Sequence, residues 1–340
     1  SFSQATNTSE ITLNEMTDSA GKSRRSRQMF TDSYAPAEWS FSTYMRPFGA
    51  VPANSDTSLW EPSASISGNP QHAVEEALWA YFVGHTGFTI GNGSTASNWN
   101  GDGGITNTDT NMVVDFEQSE VAALGTFDLY FEMGSASSDT NLTYKIEGCV
   151  VNSASIDFDI DGIATINWSG MGKIITESSA NKPSFTNLIT EGTTTTSNFI
   201  RNRLTSLTAT TAGSGNFNSS YDLVLTGGNI TFENNITFLT PETLGVVNQP
   251  LGNVTGTRSV SGNFTCYLNN DADKSAELFE DIIESTDTIT NDFDLTFNIG
   301  GSSSPKVGIQ MPNCHLEVPT HSMDDIISLD VNFHALPASI

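Results

Sequence analysis

Cysteine, positive charge and long apolar runs are all scarce in this chain of 340 residues, and each scarcity excludes something. Cys149, Cys266 and Cys314 are odd in number and widely spaced, which gives neither a disulfide framework nor a CxxC metal knuckle. They read as small buried hydrophobes. Thirteen Lys and Arg face 39 Asp and Glu, a formal net charge of −26. Nucleic-acid recognition normally needs cations that displace counterions, so a surface this acidic repels phosphates. It suits solubility, a repulsive wall or cation binding. No apolar run approaches the ~18–20 residues that span a bilayer, so no membrane span is expected. No secretory leader is visible from Ser1 onward, which leaves the processing of an upstream leader open.

Signatures of catalysis are missing too. There is no GxSxG, no Walker A loop and no GxGxxG before a helix. The five histidines, His72, His85, His315, His321 and His334, show no HExxH or Cys/His spacing. "DFDIDG" at Asp157–Gly162 resembles the start of a calcium loop, but Trp168 stands where the closing bidentate acid belongs. Paired carboxylates carry no weight in so acidic a chain. The expectation is a protein that is not an enzyme and holds no cofactor or metal.

What is present points to strands. The 28 Gly, with abundant Thr, Ser and Asn, favour strands joined by many turns, and 20 Phe with 5 Trp supply a core. The organising stretch is Pro36–Gly84, a strand, a long loop and one amphipathic helix. Trp39, Phe41 and Met45 share one side of the strand; Pro47, Pro52, Pro62 and Pro70 break the next residues into loop. Ala73, Val74, Ala77, Leu78, Tyr81 and Phe82 recur at helical spacing, with Glu75 and Glu76 on the polar side and Gly84 as the stop. Ahead of this stretch, "EITLNEM" reads as a short strand and "DSAGKSRRSRQ" as a loop. Lys22, Arg24, Arg25 and Arg27 put four of the thirteen basic residues within six positions. No aromatics interleave them as nucleic-acid stacking requires; a loop docking on an acidic neighbouring copy is the stronger reading.

From Asn111 to Met171 strand follows strand, and the plan then returns. "AEWSFSTYMRP" at Ala37 answers "VSGNFTCYLNN" at Val260, and the helix Ala73–Gly84 answers Ala276–Ser285. "ITLNE" at Ile11 answers "ITFLT" at Ile236. Phe127 and Phe293 stand 166 residues apart, Cys149 and Cys314 165, Asp161 and Asp324 163. Offsets this steady indicate a tandem duplication. The fold expected is mostly β with a few helices: two tandem β-sandwich or barrel modules, each flanked by one α-helix. The boundaries are 1–171 for the first module, 172–198 for a linker or crossover, and 199–340 for the second. A doubled module replaces two subunits of a ring, so a sixfold ring becomes a threefold one.

"EITLNEMTDS", "AEWSFSTYMRPF", "PQHAVEEALWAYFVG", "YKIEGCVVNSASIDFDIDGIATINWSGMGK" and "PNCHLEVPTHSMDDIISLDVNFHAL" resemble the major tail tube proteins of long-tailed, non-contractile bacteriophages over nearly the whole chain. The resemblance implies a virion structural protein, assembled in the host cytoplasm, whose stacked rings form a tube for DNA ejection. It implies trimeric rings of pseudo-hexameric symmetry, with hexameric rings as the alternative. Its partners would be copies of itself, a tape-measure protein, a tail terminator and distal tail or baseplate proteins, with no membrane and no cofactor. DNA would cross the lumen without specific binding. Loops at 51–70 and 87–111 depart from the family pattern. Candidate lumen acids are Asp157, Asp159, Asp161, Asp324, Asp325 and Asp330; screening over roughly 8–10 Å makes only residues near the bore effective. The rival reading is a secreted or surface adhesin or carbohydrate-binding protein, suggested by nine N-x-S/T sequons and the acidity. If the basic loop clamps a neighbouring copy, Arg24→Glu with Arg25→Glu blocks polymerisation while circular dichroism shows a folded monomer. Normal tubes from that variant would remove the clamp.

Overall fold

The computed structural model describes residues 1–13, 19–20, 26–53, 56–63, 71–84, 88–89, 98–99, 105–107, 111–116, 124–134, 142–178, 199–211, 220–244, 246–284, 293–303, 305–323 and 327–337. Strands β1 (Phe2–Leu13) and β2 (Ser26–Tyr44) open the chain. A small sheet of β3 (Pro47–Ala53), β4 (Asp56–Ser63) and β5 (Gln71–Ala73) leads into helix α1 (Glu76–Val83). Short strands β6 (Phe88–Thr89), β7 (Asn98–Trp99), β8 (Ile105–Asn107) and β9 (Met112–Val114) follow. Then come β10 (Phe127–Met133), β11 (Leu142–Asp159), β12 (Thr165–Gly172) and β13 (Ile174–Glu177). The rest comprises β14 (Ser206–Thr211), β15 (Ser220–Leu223), β16 (Leu225–Glu233), β17 (Thr237–Leu239), β18 (Gly252–Val254), β19 (Ser259–Tyr267), α2 (Ser275–Glu284), β20 (Phe293–Ile299), β21 (Val307–Leu316), β22 (Thr320–Met323) and β23 (Ile327–Ala335).

The main strands share one hydrogen-bonded path, β1-β2-β12-β11-β16-β19-β23-β21-β20-β14-β15, with β10 and β13 on β11 and β22 on β23. The path folds over itself into a sandwich. Strand β11 belongs to both layers: its first half pairs β10 and β13, its second half β12 and β16. The change of direction coincides with a one-residue register break between Val151 and Ser153, the bend that a bulge imposes. Alternation supplies the interior. Ala154, Ile156 and Phe158 of β11, Ile166 and Trp168 of β12, and Leu329, Val331 and Phe333 of β23 point inward and are buried. The layers meet through rings: Phe2 lies 4.6 Å from Phe131, Trp39 6.0 Å from Phe127, and Phe297 5.8 Å from Phe333. One core serves both halves, since Phe158 contacts Phe297 at 5.5 Å.

Several ladders recur. Strand β2 meets β12 from Thr165 opposite Tyr44 to Gly172 opposite Ala37; β19 meets β23 from Ser328 opposite Tyr267 to Ala335 opposite Val260. Phe127 faces Cys149 and Leu129 faces Ile146 across a bulge, as Phe293 faces Cys314 and Leu295 faces Met311. Packing is conserved by exchange. Gly170 lies under Trp39, where an added Cβ would come within 2.4 Å of the ring; Gly262 lies under Phe333, where it would come within 2.7 Å. The large and small residues have swapped strands between the two ladders.

Four local expectations change. Of the proline-rich stretch, 47–53 and 56–63 are strand, not loop, and Pro70 lies outside the described residues: Pro62 lies on the edge strand β4, and Pro52 lies beyond the end of β5, where no ladder donor is needed. Arg27 sits in β2 opposite Thr12, so the strand begins inside the expected basic loop. The expected linker starts with strand: Gly172 ends β12, and Ile174–Glu177 pair with β11. Glu75 and Glu76 are buried rather than solvated, because α1 is covered on more than one side. Trp79 touches Trp168 at 4.8 Å and Phe232 of the second half at 5.7 Å. Gly84 does end the helix, at φ 115° with its N–H on Ala80 O.

Burial pushes the Glu75 carboxyl up to about 7. A carboxyl whose folded pKa is raised binds more protons folded than unfolded, so its stability contribution falls as pH rises from 4.5 to 7 and stays lost above. Glu75→Gln should therefore unfold at higher denaturant than the native chain at pH 8, by up to about 3 kcal/mol, with the gap closing near pH 4.5. Equal midpoints at pH 8 would show that Glu75 carries no such penalty.

Candidate assembly surfaces

The strand alternation that buries one face of the run β1-β2-β12-β11-β16-β19-β23 leaves the other face open. Over residues 38–42, 153–159, 165–169, 229–233, 261–265 and 330–334 that face carries Glu38, Asp157, Asp159, Glu233 and Asp330, and these segments contain no Lys or Arg. The remaining positions are mostly Ser, Thr and Asn. Their polar groups are bonded to one another across strands. Ser42 Oγ donates to Asn167 Oδ1 at 2.6 Å, and Asn167 Nδ2 donates to Asp157 Oδ2 at 3.0 Å. Asn229 Nδ2 donates to the other Asp157 oxygen, and Thr231 Oγ1 donates to Asn229 Oδ1 at 2.7 Å. This chain of bonds crosses β2, β12, β11 and β16 and so crosses the seam between the halves. Thr265 Oγ1 donates to Asp330 Oδ1, and Ser153 and Ser169 share a bond of 2.8 Å.

The expected lumen acids are therefore only partly together. Asp157, Asp159 and Asp330 share this face. Asp159 also accepts from Gly162 N at 2.9 Å, which tightens the turn after β11. Asp161 lies in that turn, exposed, 3.7 Å from Arg203. Asp324 and Asp325 lie outside the described residues, as do Lys22, Arg24 and Arg25 of the expected contact loop. Arg27 is described: its Nε lies 3.1 Å from Glu10 Oε1 on the paired strand, and both side chains are exposed. Sequence reasoning did not single out Glu38 or Glu233, although strand parity counted from Trp39 and Phe232 puts both on the open face.

It also missed the polar clamp between the halves. Arg258 donates from Nε to Asn234 Oδ1 at 2.9 Å, from one terminal nitrogen to Phe82 O at 2.9 Å and from the other to Phe116 O at 3.2 Å. Its guanidinium lies 5.5 Å from the Phe82 ring. Asn234 Nδ2 donates to Phe82 O as well, at 2.9 Å. Two side chains of the second half thus satisfy a carbonyl at the end of α1, where the helix leaves acceptors unpaired. Burial lowers Arg258 to about 10, leaving it charged at neutral pH. Only its distance in sequence from α1 hid this role.

The three thiols are free, buried and pushed up to about 12 by burial, so none is a poised nucleophile. Among the described residues no group of three His, Cys, Asp or Glu is disposed to hold a metal, and no helix is long and apolar enough to cross a membrane.

A sandwich with one polar face, open strand ends and a core that spans both halves is the build of a polymer-forming shell protein. The phage tail tube protein family matches residues 6–335, and the chain belongs to that family. It is also 30% identical over 346 aligned positions to tail tube protein pb6 of Escherichia phage T5, covering 100% of this chain and 67% of pb6. The protein is a structural component of a siphophage tail tube, and it works as a homo-oligomer in the virion. Neither comparison supports the adhesin reading.

Removal of the clamp should be costly, since it takes from Phe116 O and Asn234 Oδ1 the donors Arg258 supplies and leaves Phe82 O with Asn234 alone in a half-buried seam. Arg258→Ala should lower the unfolding free energy by about 3 kcal/mol, measured by urea denaturation of the monomer. Arg258→Lys should recover little, because an ammonium cannot reproduce the fork. A Lys variant as stable as the native chain would show that charge alone matters.

Proposed function

We propose that the open polar face lines the bore of the tube, and that each chain is two fused modules which close a threefold ring. The observation that carries the ring is the seam inside the chain. Strand β11 pairs with β16 from Ser153 opposite Glu233 to Asp159 opposite Gly227. By the shared registers, β22 stands in the second half where Ser155–Phe158 stand in the first, and β1 stands where β16 stands. The run therefore ends in β22 on one side and β1 on the other, the same two strand types that meet at its centre. Pairing β22 of one copy with β1 of the next repeats the internal seam, and three copies return to the start. The equal ladders, the matching bulges and the exchanged Trp39–Gly170 and Gly262–Phe333 pairs support the duplication.

The polar face suits a duplex that must pass without sticking. Phosphates are normally held by Lys and Arg and by free hydroxyl, amide and backbone donors. The segments of this face named above supply no such cation, and several of their hydroxyl and amide donors are already directed at carboxylates or at each other. Acids near the bore add repulsion that survives over about a Debye length, ~8 Å at physiological salt. On this reading the face guides DNA and catalyses nothing. A tape-measure protein, a tail terminator and distal tail or baseplate proteins are its expected partners at the core and ends of the tube.

Negative-stain electron microscopy of the concentrated protein, with averaged end views, tests this. Hollow tubes with threefold rings are expected. Rings of six whole chains would retain the tube and overturn the fused-module account, whereas monomers that persist after a tail-tip nucleus is added would overturn the assembly itself.

A further inference from the structure

The seam inside the chain allows the seam between copies to be read residue by residue. Inside, Asn152 sits at the bulge of β11 and receives the second half: Ile236 N donates to its Oδ1 at 2.8 Å, and Asn234 N to its backbone carbonyl at 2.9 Å. Around it Val150, Ile236 and Leu124 are buried together, with Met171 and Phe238 packed against them. This patch of the seam, beside the polar clamp of Arg258 and Asn234, is apolar.

The equivalent surface of the second half is not. Val150 faces Met171 across its ladder as His315 faces His334 across the other, and the bulge residue Asn152 is matched by Glu317. Glu317 accepts from Asn332 Nδ2 at 2.9 Å and lies 3.3 Å from His334 Nε2; these partners hold its carboxyl below the usual range. The other side of the seam changes in the same sense. Phe2 faces Trp39 as Ile230 faces Gly262, and the extra residues at the β1·β2 breaks fall on β2. Counting along the chain then carries Ile236 to Thr8 and Phe238 to Glu10, three residues earlier than the Ile11–Ile236 match read from the sequence; the second half departs from strand between Glu233 and Thr237, turning at Asn235 with φ 49°. Glu10 is exposed and paired with Arg27.

We infer that copies of this chain join through an ionic counterpart of the apolar seam: the β1 arm of one copy, with Glu10 and Arg27, seats on His315, Glu317 and His334 of the next. This rests on the ring reading above and gives that ring its contact chemistry. Arg27, Glu10, His334 and Glu317 then follow one another across the joint with donors beside carboxylates, and Thr8 N–H takes the Glu317 carboxylate as Ile236 N–H takes Asn152. The polarity has a physical cause. The inner seam is closed from synthesis onward because the chain itself joins its sides. The outer one must stay in water until assembly, and an apolar patch there would drive indiscriminate aggregation. Charge pairs at such a joint set partner and register.

The test is a full-length chain with Glu10→Cys and His334→Cys, assembled and then oxidised. Covalent dimers and closed trimers on a non-reducing gel, absent from either single variant and from the native chain with its three buried thiols, are expected. Tubes that form from the double variant but stay uncrosslinked would overturn this joint while leaving the tube standing; a native chain that forms no tube overturns both. Should the cysteine pair itself block assembly, charge exchange decides. Glu10→Lys and His334→Glu should each lower assembly about tenfold and together restore it, and a pair that stays unassembled overturns the joint.

Discussion

Backbone pairing between β11 and β16 is the interaction on which the rest of the molecule depends. Seven consecutive residues on each strand join the halves into one sheet. Because side chains alternate along a strand, that register forces Ile156 and Ile230 to one side together and Asp157 and Asn229 to the other. A slip by one residue would put the isoleucines in water and the carboxylate in the core. One ladder thus sets the shared interior, in which Phe158 reaches Phe297, and the continuity of the polar face.

That face shows how a surface can be polar without being adhesive. Ser42, Asn167, Asp157, Asn229 and Thr231 form a continuous sequence of donors and acceptors. A hydroxyl or amide already bonded to a carboxylate gains little by turning to a phosphate, and the carboxylate it serves repels that phosphate. Neutral hydroxyls alone would not do this, and bare acids alone would repel one another. The combination spreads charge over a hydrogen-bonded lattice, which is what the proposed bore lining requires.

The halves differ most where their neighbours differ. At the ladder centres register and bulges match, with Trp39 over Gly170 in one half and Phe333 over Gly262 in the other, because the volume between layers must be filled in both. At the seams the demand is not volume but solubility before contact. Val150 and Met171 are covered by the chain's own Ile236 and Phe238, whereas Glu317 and His334 are exposed and His315 is half-buried beside them. Arg258 belongs to the same logic: it closes the end of α1 from the second half, a permanent contact that can bear a half-buried guanidinium.

Much of this was legible in the residues alone. Alternation around Trp39 and Phe41, around Ile156 and Phe158, and around Phe293, Leu295 and Phe297 determined the strands and which side chains are buried, because a two-residue period has only two faces. Gly84 marked the end of α1, since few other residues take its backbone angle. The return of Phe127 and Cys149 as Phe293 and Cys314 carried the repeated plan. What composition and spacing did not decide depends on a second element arriving. Glu75 and Glu76 looked solvated, yet both are buried once α1 packs among distant elements. Pro52 and Pro62 looked like strand breakers until the small sheet placed them where no ladder donor is required. His315, Glu317 and His334 had no motif, because residues that meet across a ladder need no fixed spacing along the chain. Local pattern determines an element and its faces; only packing between distant elements decides what each face meets.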